Sequence, residues 1–274
     1  TNINIRQQAF VKIDEVNFTR TFTGTSYLHA GVVNQITGEG NQRYLMIASG
    51  TRVMEILFAL GNHPNTFHAI GVRALVGDQC CEFKANCGVI VSAGVIDSPA
   101  LLMRSGVGPQ NVLAKACVKP IIVNENVGRH LMFHIGPSWH LTGSPAYAAN
   151  PSITGYVNIP GIISPIYPPP YPPGYNPQRM YQLFVNGNLS SVPTVSNVDI
   201  VSCNLVPKSE GDVSIVSKDI FTEPLIHINA YSHPDDKILA REFSRRLANS
   251  VNATGQLSWL NGVDPSTLTD SSLD

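Results

Sequence analysis

The chain has 274 residues and a formal net charge of −1, a length that suits one large domain or two smaller ones. Hydrophobic residues make up 43% and charged residues 14%, which fits a globular protein with a sizeable core and excludes an extended disordered chain. There is no basic block to support nucleic-acid binding, and no apolar run long enough to span a bilayer.

In chain order, residues 1–40 are polar and mixed, with turn residues at Gly24 and Gly38-Glu39-Gly40. The N-terminus does not read as a signal peptide and lacks an initiator Met, which points to a processed or excised chain. Residues 43–59 hold two short apolar runs around Ser49-Gly50 and are predicted to form paired or consecutive strands. Residues 68–76 and 80–92 are predicted to form a hairpin that leads into a central strand, Val89-Ile90-Val91.

Residues 91–109, VSAGVIDSPALLMRSGVGP, are the most informative stretch. An apolar run ends in Ser92-Ala93-Gly94, and Ser98 stands directly before Pro99. That order predicts an N-cap followed by proline at the first helical position. Leu101, Leu102 and Met103 carry the helix, and Gly106 is placed to stop it. A strand end feeding a helix N-terminus leaves free backbone N–H groups, which suit an anion or a cofactor edge. An ordinary strand-to-helix junction reads the same way from spacing alone.

A second helix is predicted at about 109–117 and a strand over 118–123. His130 and His134, four apart, would share one face of a helix as zinc ligands do. No Glu lies between them and no third ligand is evident, so they read as structural histidines and no metal is assigned. The cysteines are Cys80, Cys81, Cys87, Cys117 and Cys203; the odd number leaves at least one unpaired within the chain, and no Cys-x-x-Cys pair suggests zinc. Sequons at Asn17, Asn188 and Asn252 hint at secretion, although an asparagine-rich chain carries about that many by chance.

Residues 160–177, dense in proline and tyrosine, read as an extended loop, or as a ligand for a proline-reading module. After the turn Pro207-Lys208-Ser209-Glu210-Gly211, Val213 and Ile215 alternate, with Val216 out of step. Residues 235–251 are predicted to form an amphipathic helix. Asp235 and Asp236 favour its positive end; Ile238, Leu239, Phe243, Leu247 and Val251 form its apolar stripe, and Arg241, Arg245 and Arg246 face outward.

The 91–109 run closely resembles the second signature of the glucose–methanol–choline (GMC) flavoprotein oxidoreductases. Ile47-Ala48-Ser49-Gly50-Thr51-Arg52-Val53 is similar to the strand whose valine backbone contacts the adenine of FAD in that family. Val127–His134 resembles its Val-Gly-x-Asn-Leu-Gln-Asp-His element, with His130, Met132 and Phe133 substituted. Pro207–Ile215 resembles its Arg-Pro-Lys-Ser-Arg-Gly-x-Val-x-Leu, with Val206 and Glu210 where arginines are usual. The matches run in family order over roughly 43–255.

The resemblance implies an α/β plus α+β fold. Residues 1–134 would be part of a doubly wound FAD-binding domain. Residues 135–232 would form an antiparallel-sheet substrate domain carrying the 160–177 loop near the active-site entrance, and 233–274 a helix and the start of a C-terminal segment. It implies FAD as cofactor, with Val53 at its adenine and Gly94 and Ser98 at its flavin. The implied function is a portion of an oxidoreductase that acts on the CH–OH group of a small-molecule alcohol by hydride transfer to flavin. The alternatives are a hydroxynitrile lyase of the same family, or a GMC-like coat, fibre or scaffold protein without turnover. The family's Gly-x-Gly-x-x-Gly and its C-terminal catalytic histidine are not found here. No catalytic residue is therefore assigned, and the missing segments are expected in a parent polypeptide or a companion chain.

Overall fold

A computed structural model describes residues 43–143, 196–254, 257–259 and 262–273, residues 24 and 27, and the short strands 3–7, 13–14, 19–20, 39–40, 153–157 and 181–189. In chain order the strands are β1 Ile3–Gln7, β2 Ile13–Asp14, β3 Thr19–Arg20, β4 Glu39–Gly40, β5 Arg43–Tyr44, β6 Thr51–Leu60, β7 Phe67–Val76, β8 Gln79–Lys84, β9 Val107–Gly108 and β10 Ile122–Val123. They continue with β11 Ser138–Gly143, β12 Ile153–Val157, β13 Tyr181–Leu189, β14 Ser196–Asn204, β15 Asp212–Ser214, β16 Leu225–His227 and β17 Leu257–Trp259. The helices are α1 Gly94–Arg104, α2 Gln110–Lys115, α3 Pro234–Thr254 and α4 Asp270–Leu273. Two compact units result. One is Thr1–Gln8, Met132–Glu210 and Ile228–Asp274; the other is Ala9–Leu131 and Gly211–His227. The sequence divides linearly at 134 and 232, whereas the compact units interleave, because strand pairing closes over long sequence separations.

In the second unit, β6, β7 and β8 form an antiparallel sheet in that order. Val76 pairs with Gln79 across a two-residue turn, and Gly77 supplies the positive φ of 58° that such a turn needs. Helix α1 is tied to β6 where the buried N–H of Ile56 donates to Ser105 Oγ at 2.8 Å. The core holds Ala100 and Met103 of α1, Leu113 of α2, and Ala116, Val118 and Ile215. The predicted alternation at 213–216 holds: Val213 and Ile215 are buried and Val216 is exposed.

Gly106 ends α1 as predicted. It has a φ of 87°, and a Cβ there would lie 2.7 Å from the carbonyl oxygen of Lys119. The strand predicted over 118–123 shortens to β10, which pairs in parallel with β9. Val89–Val91 is not a strand. It pairs with nothing among the described residues, and Ile90 is 93% exposed; an apolar run becomes a strand only where a neighbour takes up its N–H and C=O groups.

In the first unit, an antiparallel sheet runs β1-β12-β13-β14-β11-β17. Helix α3 buries Leu239, Phe243, Leu247 and Val251, as its stripe predicts, whereas Ile238, at the stripe's edge, stays exposed. Arg241 and Arg245 pair with Asp270, and Arg246 pairs with Glu242 one turn earlier. Trp139 of β11 meets Trp259 of β17 edge to face, with ring centroids 6.0 Å apart, a favoured aromatic geometry. The 160–177 loop lies outside the described residues.

Candidate functional site

The three residues singled out from sequence all fall in the β6–α1 layer of one unit. Gly94 is the first residue of α1. It is exposed with a φ of 92°, and a Cβ there would meet nothing within 4 Å. The N-cap is Ala93, not Ser98, and Pro99 lies inside the helix rather than at its first position. Helical geometry begins one turn earlier than proline placement suggests, because Gly94 tolerates the left-handed entry.

Ser98 then has a different task. Its Oγ reaches back to accept the N–H of Ala93 at 3.1 Å. That bond fixes the entry turn and leaves the next donors alone: the N–H groups of Gly94, Val95 and Ile96 have no intrahelical acceptor. They point out of the positive end of the helix dipole. Val95, in the same first turn, is 65% exposed.

Val53 lies on β6 opposite Ala74, immediately before a break in the β6–β7 register between Val53 and Glu55. Such a bulge re-aims the local backbone. An ion network holds the strand there. Glu55 binds Arg73 and, at 2.8 Å, Lys218, while Arg73 also binds Glu82 at 2.8 Å. Its hydrogen bond with Glu82, and then the charge of Glu55, push the Arg73 guanidinium up. Ser105, which ties α1 to β6, lies at the end of α1 opposite Gly94, about 16 Å along the helix axis.

Arg104, next to Ser105, is buried and donates through Nη2 to the carbonyl of Thr222 at 2.8 Å. Burial pushes its guanidinium down, against the pull of Asp97. The same unit holds a cavity of 370 Å³ beside α2, lined by Lys115, Val127, Arg129 and Asp212. Arg129 and Asp212 stand 3.9 Å apart across it. His130 has a φ of 58° and neither it nor His134 is helical, so the shared helix face expected for that pair does not form. Among the described residues no group of three His, Cys, Asp or Glu side chains is placed to hold a metal. None of the helices described is long and apolar enough to cross a membrane.

One structural residue of consequence was only half visible in sequence. Asp236, expected to face the dipole of α3, is fully buried. It accepts from the N–H groups of Lys208 and Ser209, from Ser209 Oγ and from Asn204 Nδ2 at 2.5 to 3.1 Å. The first-turn position carried the signal; its partners, some thirty residues upstream, did not show.

The GMC oxidoreductase family model matches residues 29–136, the stretch that holds Val53, Gly94 and Ser98. The chain is 30% identical over 220 residues to (R)-mandelonitrile lyase 1 of Prunus dulcis, covering 79% of this chain and 38% of that protein. It is 33% identical over 100 residues to alcohol oxidase of Candida boidinii, covering 34% of this chain and 14% of that protein. A formate oxidase structure from Aspergillus oryzae shares the fold with a TM-score of 0.63 at 19% identity, over 81% of this chain and 47% of the other. The chain thus spans less than half the length of these proteins. The mixed helices, the antiparallel sheet and the family match over the β6–α1 layer agree: the chain belongs to the GMC oxidoreductase family.

Proposed function

We propose that this chain is a portion of a FAD-dependent oxidoreductase acting on the CH–OH group of a small alcohol. In this reading Ala9–Leu131 with Gly211–His227 holds one side of the flavin, and the six-stranded sheet belongs to the substrate domain. The observation that carries the reading is the open start of α1. Gly94 has empty space where a Cβ would stand, and its own N–H and the two that follow have no acceptor inside the helix.

FAD, when bound, supplies the acceptor for a hydride from the alcohol carbon. The chain's own residues bind and orient. The N–H groups of Gly94, Val95 and Ile96 donate to anionic or carbonyl oxygens, and Gly94 allows close backbone approach. Ser98 holds the entry turn by occupying the N–H of Ala93, and the backbone at Val53 meets the adenine. No group described here is assigned the alcohol proton. The Aspergillus oryzae formate oxidase, described for its FAD modification, and the Candida alcohol oxidase support the reading by likeness.

A second reading, a hydroxynitrile lyase, is favoured by the likeness to mandelonitrile lyase. Visible flavin absorbance of the native protein tests both. A flavin band that an alcohol bleaches without oxygen is the expected result. A band that no alcohol bleaches, in a protein that cleaves mandelonitrile, selects the lyase. Native protein that neither carries nor takes up FAD rejects both readings and leaves a scaffold.

A further inference from the structure

The six-stranded unit contains a cavity of 510 Å³ that shares no residue with Val53, Gly94 or Ser98. Its wall includes Ser138 and Trp139 of β11, Tyr231, Lys237 of α3, and Leu268 and Ser272 near the end of the chain. We propose that this cavity is a binding site for a small organic carboxylate with an apolar body, its carboxylate on Lys237 and its body against Trp139 and Leu268.

Charge is the first argument. Lys237 is the one basic side chain of α3 with no acidic partner among the described residues, since Arg241 and Arg245 share Asp270 and Arg246 holds Glu242. It stands in the first turn, where the helix dipole opposes a cation. The two carboxylates beside it are engaged elsewhere. Asp235 binds Lys208 at 2.8 Å, and Asp236 is consumed by the 204–209 segment. Among the described residues the cavity wall carries no carboxylate. An incoming anion therefore meets, in the first turn of a 21-residue helix, an ammonium that no described carboxylate pairs.

Placement of the donors is the second. Tyr231 lines the cavity from a left-handed backbone, with a φ of 53°. A bulky residue adopts that conformation only where its surroundings impose it, which is a signature of functional positions. Burial, and then the charge of Asp236, push its phenol up, so the hydroxyl stays protonated and donates at neutral pH. The indole Nε1 of Trp139 is buried without an acceptor, and its ring adds an aromatic wall. The volume falls within the range of small-molecule sites, and the lining follows their pattern of apolar walls with a few convergent polar groups.

The chain contains two tryptophans. One lines this cavity and the other packs against it edge to face, so tryptophan fluorescence of the intact chain reports on this site. Titration with phenylacetate is expected to give a saturable change, with phenylacetamide at least tenfold weaker. Lys237→Gln is expected to weaken phenylacetate at least tenfold while leaving phenylacetamide unchanged, and Tyr231→Phe to weaken it several-fold. No saturable change, equal binding of acid and amide, or an unaltered Lys237→Gln titration would each overturn the proposal. The acid-against-amide comparison on the unaltered protein decides the matter if either variant fails to fold. Flavin content and alcohol turnover do not enter the readout, so failure here is separate from failure of the proposed function.

Discussion

Two helices of this protein begin in opposite ways. Helix α1 starts at an exposed glycine with open space around it, its first donors unclaimed. Helix α3 starts beside a carboxylate that is wholly buried and saturated by four donors from Asn204, Lys208 and Ser209. A helix end that the protein closes with its own side chains is serving the fold. A helix end left open, at a glycine whose left-handed φ costs it little, keeps donors that water or a ligand can take. The contrast makes α1 the candidate binding element and Asp236 an anchor, although both lie at equivalent places in their helices.

The largest effect is expected at the closed end. Asp236→Ala leaves two backbone N–H groups, a hydroxyl and an amide without their acceptor, inside a region where water does not reach. The cost is about 3–5 kcal/mol, by analogy with removing one partner of a buried charged network. Urea unfolding should show a lower midpoint with an unchanged slope. A loss below about 1 kcal/mol, the worth of one ordinary hydrogen bond, would break the comparison, because α3 would then be closed without the closure mattering.

Much of this contrast was legible in sequence, and its limits are instructive. Gly106 could be read as the stop of α1 because helix termination is local, set by one residue and its neighbours. The stripe Leu239, Phe243, Leu247 and Val251 was equally plain, since periodicity needs no partner to be seen. Ser98 was misplaced. A Ser-Pro pair is the usual sign of a helix start, and the local rule missed that Gly94 admits an earlier entry, after which Ser98 reaches back to Ala93. The strand predicted at Val89–Val91 failed for the converse reason. Strands are made by neighbours, and apolar residues alone do not supply one. The partners of Asp236 and the register break beside Val53 depend on segments distant in sequence, so no window on the sequence contains them.

Two glycines sharpen the comparison at an intermediate scale. Gly106 and Gly94 have similar φ values of 87° and 92°, but a Cβ at Gly106 would stand 2.7 Å from the carbonyl oxygen of Lys119, and one at Gly94 would stand in the open. Gly94→Ala should therefore cost only the conformational penalty, about 1–2 kcal/mol. Gly106→Ala adds a clash with backbone that has little room to move, for a total of about 2–4 kcal/mol. In flavin content the order should reverse: Gly94→Ala loses FAD at native fold, whereas Gly106→Ala retains it wherever the protein is folded. Equal stability losses, or full flavin in Gly94→Ala, would remove the distinction between a glycine required by packing and one required by a ligand.

The smallest effect concerns the far end of α3, where a second carboxylate closes structure on itself. Asp264 accepts from the N–H and hydroxyl of Ser266, both at 2.8 Å, and from the amide of Asn252 at 2.5 Å. Asn252 in turn accepts the indole N–H of Trp259 at 3.1 Å. Burial works to raise the Asp264 carboxyl, but the bonds from Ser266 and Asn252 outweigh it and hold the group below its ordinary value. A carboxylate depressed in the folded state stabilises that state above the unfolded pKa of about 3.9. The contribution fades as pH falls from there through the folded pKa, and is gone below it. Asp264→Asn should flatten that part of the acid limb while leaving the slope above pH about 5 unchanged. An acid limb identical in the two proteins would show that these bonds do not distinguish the folded carboxylate from the unfolded one. Asp264 would then be a surface group, with nothing in common with the anchor at Asp236.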